Sequence, residues 1–208
     1  MIIIPILMIK LLGRLRKKYE ESITPLCKSL GNLGVTPNAA TTLSLLLACL
    51  AAVGYASRSP LWAAFGLLAS AAADMVDGGI ARATGKATRF GAVYDHVLDR
   101  YAEFAILVGI GLGGFADWHW VVFSLFGMVM ASFVRAKAES VGGLKSCSVG
   151  IAERQEKLIL ILLGSILQVF FGYALLLAVV IVGVVSHITV VQRLQYTFTQ
   201  TRGVDHGV

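Results

Sequence analysis

Long apolar stretches separated by short polar segments occupy most of the chain beyond residue 35. An α-helix needs about 20 predominantly apolar residues to cross a bilayer. We therefore predict six transmembrane helices, over residues 39–57, 61–83, 91–114, 118–139, 156–171 and 173–194. The fold class that this pattern indicates is an all-α integral membrane protein with short connections between its helices.

Proline residues mark the starts of the first two predicted spans. Pro37 follows Thr36, and proline suits the first turn of a helix because its missing N–H would have no intrahelical partner there. The segment Arg58-Ser59-Pro60 ends the first span and begins the second. These signals support the helix boundaries that hydropathy alone indicates.

The N-terminal 34 residues combine apolar with basic side chains. Their Lys and Arg residues are Lys10, Arg14, Arg16, Lys17, Lys18 and Lys28. Apolar residues recur between them as an amphipathic helix lying in the membrane interface requires. We predict a juxtamembrane amphipathic segment over residues 1–34, a six-helix transmembrane domain that would hold any catalytic site over 35–196, and a C-terminal tail over 197–208.

The composition agrees with a membrane location. Hydrophobic residues make up 57% of the chain and charged residues 14%, against roughly 25% charged residues in an average soluble domain. The formal net charge of +6 would also fit a nucleic-acid-binding protein. Hydropathy favours contact with a membrane surface instead, so we expect membrane lipids and no nucleic acid as partners.

Basic residues also indicate the orientation of the chain in the membrane. Most basic residues in or near the predicted loops fall on the same side of the membrane as the N-terminal segment. They are Arg82, Lys86, Arg89, Arg135, Lys137, Lys145, Arg154, Arg193 and Arg202. The opposite loops carry only Arg58, Asp117 and His119. The positive-inside rule therefore predicts that both termini of this multi-pass protein lie on the cytoplasmic side of the cell membrane.

Four aspartates lie within the second and third predicted spans. Asp74 and Asp77 are about 60° apart around one helix, and Asp95 and Asp99 are about 40° apart around the next, since a helix turns roughly 100° per residue. Ionisable groups at membrane depth are costly and usually functional. Antiparallel neighbouring helices would bring the two pairs together near the cytoplasmic side. Two divalent cations could share such a cluster, and oxygen ligands favour Mg²⁺ or Mn²⁺.

Small residues and one arginine accompany these aspartates. Gly78, Ala81 and Gly91 allow a ligand or a neighbouring backbone to approach closely, and Arg82 supplies a planar cation suited to phosphate. Together with metal ions they indicate a diphosphate pocket. Tight helix packing is the alternative explanation for Gly78.

Two further alternatives concern the ionisable residues of the same region. The aspartates could form ion pairs with Arg82, Arg89 and Arg100, although carboxylates outnumber the basic side chains nearby. His96 could bind a metal, but its position on another helix face favours a packing or interfacial role.

The spacing DxxDGxxARx8GxxxDxxxD, from Asp74 to Asp99, resembles the signature of the CDP-alcohol phosphotransferase family. The resemblance implies six transmembrane helices preceded by an interfacial helix, and it implies a homodimer. It also implies a reaction in which an alcohol oxygen attacks the β-phosphorus of a CDP-linked lipid and CMP leaves. Asp74, Asp77 and Asp95 would hold the metal ions, and Asp99 would lie near them and act as general base.

The same resemblance assigns residues to the lipid donor. Asp74, Gly78 and Ala81 would border the cytidine, Arg82 would contact the diphosphate, and Gly91 would belong to the same donor pocket. The chemistry is sound, because a carboxylate beside a metal-bound phosphate can accept the proton of an attacking hydroxyl.

Residues 133–140 and 148–158 are similar to the corresponding segments of prokaryotic phosphatidylinositol-phosphate and archaetidylinositol-phosphate synthases. Their acceptor is inositol 1-phosphate, also numbered 3-phosphate by enantiomer convention. Four cations bracket the predicted link between the fourth and fifth spans and could bind the acceptor phosphate: Arg135, Lys137, Arg154 and Lys157. Positive-inside topology is the alternative explanation for them. Glycerol 3-phosphate and L-serine remain alternative acceptors.

A cation channel or transporter is the competing function from another class, since such proteins also use intramembrane carboxylates. A transport path should continue toward the opposite side of the membrane. The apolar centres of the first, fourth, fifth and sixth predicted spans contain no acidic residue. The sequence therefore favours an enzyme.

Overall fold

The computed structural model describes residues 23–202, and each regular element in that range is an α-helix. Residues 23–32 are helical and are called α1. The helices that follow are α2 (Pro37–Ala56), α3 (Pro60–Thr84), α4 (Arg89–Leu112), α5 (Trp118–Ser140), α6 (Arg154–Leu167) and α7 (Ala174–Thr201). The all-α prediction is confirmed for this part of the chain, and each predicted span overlaps one helix from α2 to α7.

Threonine side chains cap the N-termini of α2 and α4. The backbone N–H of Ala39 donates to Thr36 Oγ1 at 3.2 Å, with Pro37 as the first helical residue. The N–H of Gly91 donates to Thr88 Oγ1 at 2.9 Å. Each hydroxyl satisfies a backbone donor that has no partner within the helix.

The fifth predicted span differs from the observed helix at both ends. Glu153 and Glu156 form a reciprocal capping box, so α6 begins at Arg154. After Leu167 the chain turns, and the Gln168 side chain bridges the turn: its Nε2 donates to Gly172 O at 2.6 Å and its Oε1 accepts from Leu175 N at 2.8 Å. These contacts replace the last turn of helix that hydropathy predicted.

Four of the described helices are long and apolar enough to cross a membrane, namely α2, α3, α5 and α7. Five charged residues interrupt the apolar sequence of α4, namely Arg89, Asp95, Asp99, Arg100 and Glu103. Helix α6 has only 14 residues. The fold is therefore that of a helical membrane protein. Length and composition alone do not establish six spans.

The ends of the chain bear on the predicted domain boundaries. Most of the predicted segment 1–34, including Lys10 to Lys18, lies outside the described residues. At the other end α7 continues to Thr201, so residues 197–201 of the predicted tail are helical, and residues 203–208 again lie outside the described range.

The chain divides into two compact units, of which the first comprises Met1–Leu47 and Ala69–Asp99. In its described part, Cys27 of α1 packs with Ala40 of α2 and Ile80 of α3 in a small buried core. Ser44 and Ser70 join α2 to α3 by reciprocal bonds, each hydroxyl donating to the other residue's carbonyl at 2.9 Å. Such polar pairs stabilise helix contacts in an apolar surrounding.

The second unit comprises Ala48–Leu68 and Arg100–Val208, and α7 packs against both α5 and α6 in it. Small residues allow the close approach: a Cβ at Gly183 would lie 2.6 Å from Ser124 Oγ, which itself donates to Val179 O at 2.7 Å. The buried Tyr55 hydroxyl and Ser165 Oγ are 2.6 Å apart. The helices of this unit are thus held by small-residue packing and satisfied polar groups.

Large apolar side chains are exposed along the helices. Examples are Leu50, Trp62, Phe65, Phe126, Val129, Ile181 and Val191. A surface of this kind would be unfavourable in water but suits contact with lipid chains. The exposed side chains therefore support the membrane location.

Candidate active site

Three aspartates converge within the first unit. One carboxylate oxygen from each of Asp74, Asp77 and Asp95 lies within 4.8 Å of the others. Asp74 and Asp77 come from α3, where they are three positions apart, and Asp95 comes from the first turns of α4. The predicted convergence of the two helices at one carboxylate cluster is thus present in the structure.

Asp99 joins the cluster through Asp95. Ligand atoms of Asp95, His96 and Asp99 form a second group within 4.8 Å of one another. Asp99 is only 8% exposed, whereas His96 is exposed. We expected a packing or interfacial role for His96, and the structure places its ring close enough to the two carboxylates to share a cation with them.

A threonine that the sequence analysis did not select holds one of these carboxylates. The buried Thr41 hydroxyl lies 2.7 Å from Asp77 Oδ2 and 3.1 Å from Pro37 O. A hydroxyl has one hydrogen, and the shorter contact to a charged acceptor is the stronger one. Thr41 therefore orients Asp77. The only signal in the sequence was a hydroxyl residue in a mainly apolar helix, which also contains Thr42 and Ser44.

A second hydroxyl contact links α2 to the start of α4. Thr42 Oγ1 donates to Asn38 O at 2.8 Å and also lies 3.0 Å from the Tyr94 hydroxyl. Tyr94 immediately precedes Asp95 in the chain. Polar contacts from α2 thus hold both helices that supply the carboxylates.

The glycines of the motif have different surroundings. A Cβ at Gly78 would lie 3.1 Å from Arg82 Nη1, so the missing side chain gives space to the guanidinium. A Cβ at Gly79 would meet Cys27 Sγ, so this glycine serves the packing of α1 on α3. A Cβ at Gly91 would lie 2.9 Å from Thr88 Oγ1. Helix packing therefore explains Gly79, whereas Gly78 faces the predicted phosphate-binding arginine.

The carboxylate cluster fits a hard divalent cation. The carboxylate oxygens of Asp74, Asp77 and Asp95 lie within 4.8 Å of one another and Asp77 is only 7% exposed, so these like charges repel each other unless a cation balances them. Oxygen ligands at such separations match the coordination of Mg²⁺ or Mn²⁺. Because a carboxylate has two oxygens, the bond from Thr41 leaves Asp77 able to bind a cation.

The four predicted acceptor residues lie in the second unit, two on each of two helices. On α5, Arg135 Nε donates to Glu139 Oε1 at 3.1 Å, and Lys137 Nζ lies 5.6 Å from the centre of the Phe133 ring. On α6, Arg154 is largely buried and Lys157 is only 5% exposed. A buried lysine is rare unless an anion or a ligand balances its charge.

Two charged residues of this unit were not selected from the sequence for this site. Arg193 is 5% exposed and donates to Val149 O at 2.9 Å and to Ala131 O at 2.6 Å. It thereby fastens the link between α5 and α6 to α7. Glu103 of α4 is 3% exposed, and its carboxylate lies 3.5 Å from Arg154 Nε.

Comparison with known proteins identifies the family. The family model described as CDP-alcohol phosphatidyltransferase matches residues 34–192, a range that contains every residue of the aspartate motif. The chain belongs to this family. The sequence resemblance found on the motif is therefore confirmed.

Curated relatives cover most of the chain. An archaetidylinositol phosphate synthase of Pyrococcus horikoshii is 35% identical over 184 residues, which are 88% of this chain and 95% of the relative. One from Methanothermobacter thermautotrophicus is 37% identical over 78% of this chain and 83% of its own length. A phosphatidylinositol phosphate synthase of Mycobacteroides abscessus is 33% identical over 91% and 90%.

Solved structures show the same fold. The phosphatidylinositol phosphate synthase of Mycobacterium tuberculosis with CDP-DAG bound has a TM-score of 0.77 and 29% identity, covering 85% of this chain and 93% of that one. The same enzyme in complex with manganese and citrate has a TM-score of 0.76 and 30% identity, covering 85% and 88%. This chain is therefore a membrane transferase of phospholipid synthesis.

Proposed function

We propose that the protein transfers the lipid-bearing phosphoryl group of a CDP-linked lipid to inositol 1-phosphate (3-phosphate by enantiomer convention) and releases CMP. The acceptor hydroxyl oxygen forms a bond to the β-phosphorus as the bond from this phosphorus to the CMP oxygen breaks. The observation that carries the proposal is the meeting of Asp74, Asp77 and Asp95 within 4.8 Å in a member of this family.

The aspartates divide the catalytic work in this proposal. Asp74, Asp77 and Asp95 hold two divalent ions, Mg²⁺ or Mn²⁺, with Asp99 beside them. When bound, the ions would stabilise the charge that develops on the phosphoryl oxygens and on CMP. Asp99 accepts the proton of the attacking hydroxyl, and the grouping of its carboxylate with Asp95 within 4.8 Å supports that role, because a general base must lie close to the phosphate that the metal ions hold.

The donor lies along the small-residue face of the motif. Asp74, Gly78 and Ala81 border the cytidine, Gly91 belongs to the same pocket, and Arg82 contacts the diphosphate. The close approach of the Arg82 guanidinium to Gly78, where a Cβ would lie 3.1 Å from Nη1, supports this arrangement. Because guanidinium binds phosphate oxygens in pairs, Arg82 would also fix the orientation of the donor.

The acceptor phosphate binds to Arg135, Lys137, Arg154 and Lys157. The names of the relatives support inositol phosphate, since three of them are archaetidylinositol or phosphatidylinositol phosphate synthases. The burial of Lys157 supports a phosphorylated acceptor, because a bound anion compensates for the desolvation of a buried cation. Free serine would not require this charge.

The proposal also includes the arrangement of the chain in the membrane. The chain crosses the cell membrane six times through α2 to α7, after an interfacial amphipathic helix within residues 1–34. Residues 35–196 form the catalytic domain, and both termini and the active site face the cytoplasm. Two copies form a homodimer. The basic loops predicted on one side of the membrane support this orientation.

A CMP-release assay tests the proposed reaction. Purified protein in lipid vesicles would be given a CDP-lipid, Mn²⁺ or Mg²⁺, and inositol phosphate, glycerol 3-phosphate or L-serine in parallel. We expect CMP release only with metal and acceptor together, and the highest kcat/KM with inositol phosphate. Ester-linked and ether-linked donors would be supplied separately to identify the lipid.

Asp99→Asn should abolish CMP release, whereas Asp117→Asn, an equal change in the link before α5, should leave it intact. A higher kcat/KM with glycerol 3-phosphate or L-serine would contradict the choice of acceptor. Metal-dependent ion flux without CMP release would support the channel or transporter alternative, which family membership disfavours.

A further inference from the structure

A buried carboxylate connects three helices of the second unit. Glu103 of α4 is 3% exposed, and its Oε2 lies 2.8 Å from Arg100 Nη1 of the same helix. Its Oε1 lies 3.5 Å from Arg154 Nε on α6. Arg100 Nη1 also donates to Ser132 Oγ on α5 at 2.8 Å. Glu103 therefore links α4 directly to α6, and Arg100 extends the link to α5.

Burial of the charged Glu103 carboxylate destabilises the folded protein unless the side chain also serves a function. A carboxylate removed from solvent loses its hydration, and only well-placed cations compensate for that loss. Replacing a buried ion pair by apolar side chains is often neutral for stability. Stability alone is therefore a weak explanation for Glu103.

The charges around Glu103 match the acceptor that the proposed function requires. Its carboxylate also interacts electrostatically with the buried Lys157 ammonium, one turn beyond Arg154 on α6. Three cations, Arg100, Arg154 and Lys157, thus lie around this one carboxylate. A phosphate monoester carries about −1.5 to −2 charge at neutral pH. The cluster can thus neutralise the phosphate of the acceptor.

The pair of Arg135 and Glu139 provides a contrast. Their side chains are 39% and 34% exposed and lie one turn apart on α5. An exposed pair of this kind is screened by solvent and contributes little. Glu103 differs because it is buried and because one of its partners, Arg154, comes from another helix.

We propose that Glu103 is a positioning residue: it holds Arg154 and Lys157 in the orientation that binds the acceptor phosphate. This inference rests on the proposed acceptor site. Arg154 carries its donors in a rigid plane, so fixing its Nε toward Glu103 also fixes the direction of its terminal nitrogens. Glu103 acts through these cations and need not contact the substrate.

Steady-state kinetics on the full-length protein in vesicles tests the inference. The variants are Glu103→Gln, Glu103→Asp and Glu156→Gln, with inositol phosphate as acceptor. We expect Glu103→Gln to raise the acceptor KM by about tenfold or more, with the KM of the CDP-lipid unchanged. Glu103→Asp keeps the charge and should recover part of this loss.

Glu156→Gln is the matched control. Glu156 also interacts electrostatically with Lys157 and completes the capping box of α6 with Glu153. Glutamine preserves the capping bond. The control therefore removes the same charge near the same lysine, and we expect its acceptor KM to stay close to that of the unchanged protein.

Arg154→Met separates the failure of this inference from the failure of the proposed acceptor site. If Arg154→Met raises the acceptor KM and Glu103→Gln does not, the positioning role is wrong and the acceptor site stands. If Arg154→Met leaves the acceptor KM unchanged, the acceptor site itself is wrong. Should Glu103→Gln fail to fold, an acceptor KM for Glu103→Asp equal to that of the unchanged protein would overturn the inference.

Discussion

The hydroxyl of Thr41 lies 2.7 Å from Oδ2 of Asp77 and orients one carboxylate of the aspartate cluster. Thr41 comes from α2, whereas the aspartates come from α3 and α4. A third helix thus fixes the direction of a proposed metal ligand. Groups that orient ligands in this way often matter nearly as much as the ligands.

Replacing Thr41 by valine should weaken metal binding. The substitution removes the bond to Asp77 and keeps the shape of the side chain, so the carboxylate loses its fixed orientation. Loss of a comparable partner typically lowers metal affinity by about 10–100-fold. The measurement is the Mn²⁺ concentration that gives half-maximal CMP release at saturating CDP-lipid and acceptor.

Thr41→Ser is the control for this prediction, because it retains the hydroxyl that donates to Asp77. Its half-maximal Mn²⁺ concentration should stay near that of the unchanged protein. Equal values for Thr41→Val and Thr41→Ser would show that the hydroxyl has no part in metal binding.

The aspartate cluster was predictable because its information is local in the sequence. The intervals between Asp74 and Asp77, and between Asp95 and Asp99, fix a shared helix face. Thr36 and Pro37 likewise predicted the start of α2, since capping depends on neighbouring residues. Such features require no knowledge of the tertiary fold.

Contacts between distant segments were not predictable in this way. The role of Glu103 depends on Arg154, which lies on α6, and that of Arg193 depends on backbone carbonyls at Ala131 and Val149. Periodicity gives no register between helices that are far apart in the sequence. The end of α6 was missed for a similar reason, because Gln168 bridges the turn through its side chain.

A methyl group at Gly79 should destabilise the protein without direct damage to the catalytic groups. The new Cβ would meet Cys27 Sγ, which is buried in the core of the first unit. Overpacking of a core costs about 1–3 kcal/mol. We therefore expect Gly79→Ala to lower the melting temperature in detergent.

The double substitution of Gly79→Ala with Cys27→Ala tests the cause of this loss. Removing the sulfur makes room for the new methyl group, so the double variant should be more stable than Gly79→Ala alone. A pair in contact should be non-additive by about 0.5–3 kcal/mol. Strictly additive effects would contradict the contact.

The neighbouring substitution, Gly78→Ala, should act on donor binding instead. Its Cβ would lie 3.1 Å from Arg82 Nη1, so the guanidinium must move by a few tenths of an ångström. A small misplacement of a bidentate phosphate ligand weakens binding. We expect a higher KM for the CDP-lipid and an almost unchanged melting temperature. A large loss of stability with an unchanged donor KM would favour the helix-packing explanation of Gly78.

Metal binding should couple to stability through the repulsion among the aspartates. Asp74, Asp77 and Asp95 place carboxylate oxygens within 4.8 Å of one another, so the cluster opposes folding until a cation enters. A ligand that binds only the folded state stabilises it, by about 2.7 kcal/mol at 100 times its Kd. Addition of Mn²⁺ should therefore raise the melting temperature of the unchanged protein, and a chelator should reverse the rise and abolish CMP release.

Asp77→Asn should weaken both the repulsion among the carboxylates and the stabilisation by Mn²⁺. The amide removes one like charge, so the metal-free variant should melt no lower than the metal-free unchanged protein, while most of the Mn²⁺-dependent rise disappears. Its amide oxygen can still accept from Thr41, so lost orientation would not explain the result. Asp117→Asn, which lies outside the cluster, should keep the full rise. An undiminished response of Asp77→Asn to Mn²⁺ would exclude Asp77 as a ligand and leave the cation to the remaining carboxylates.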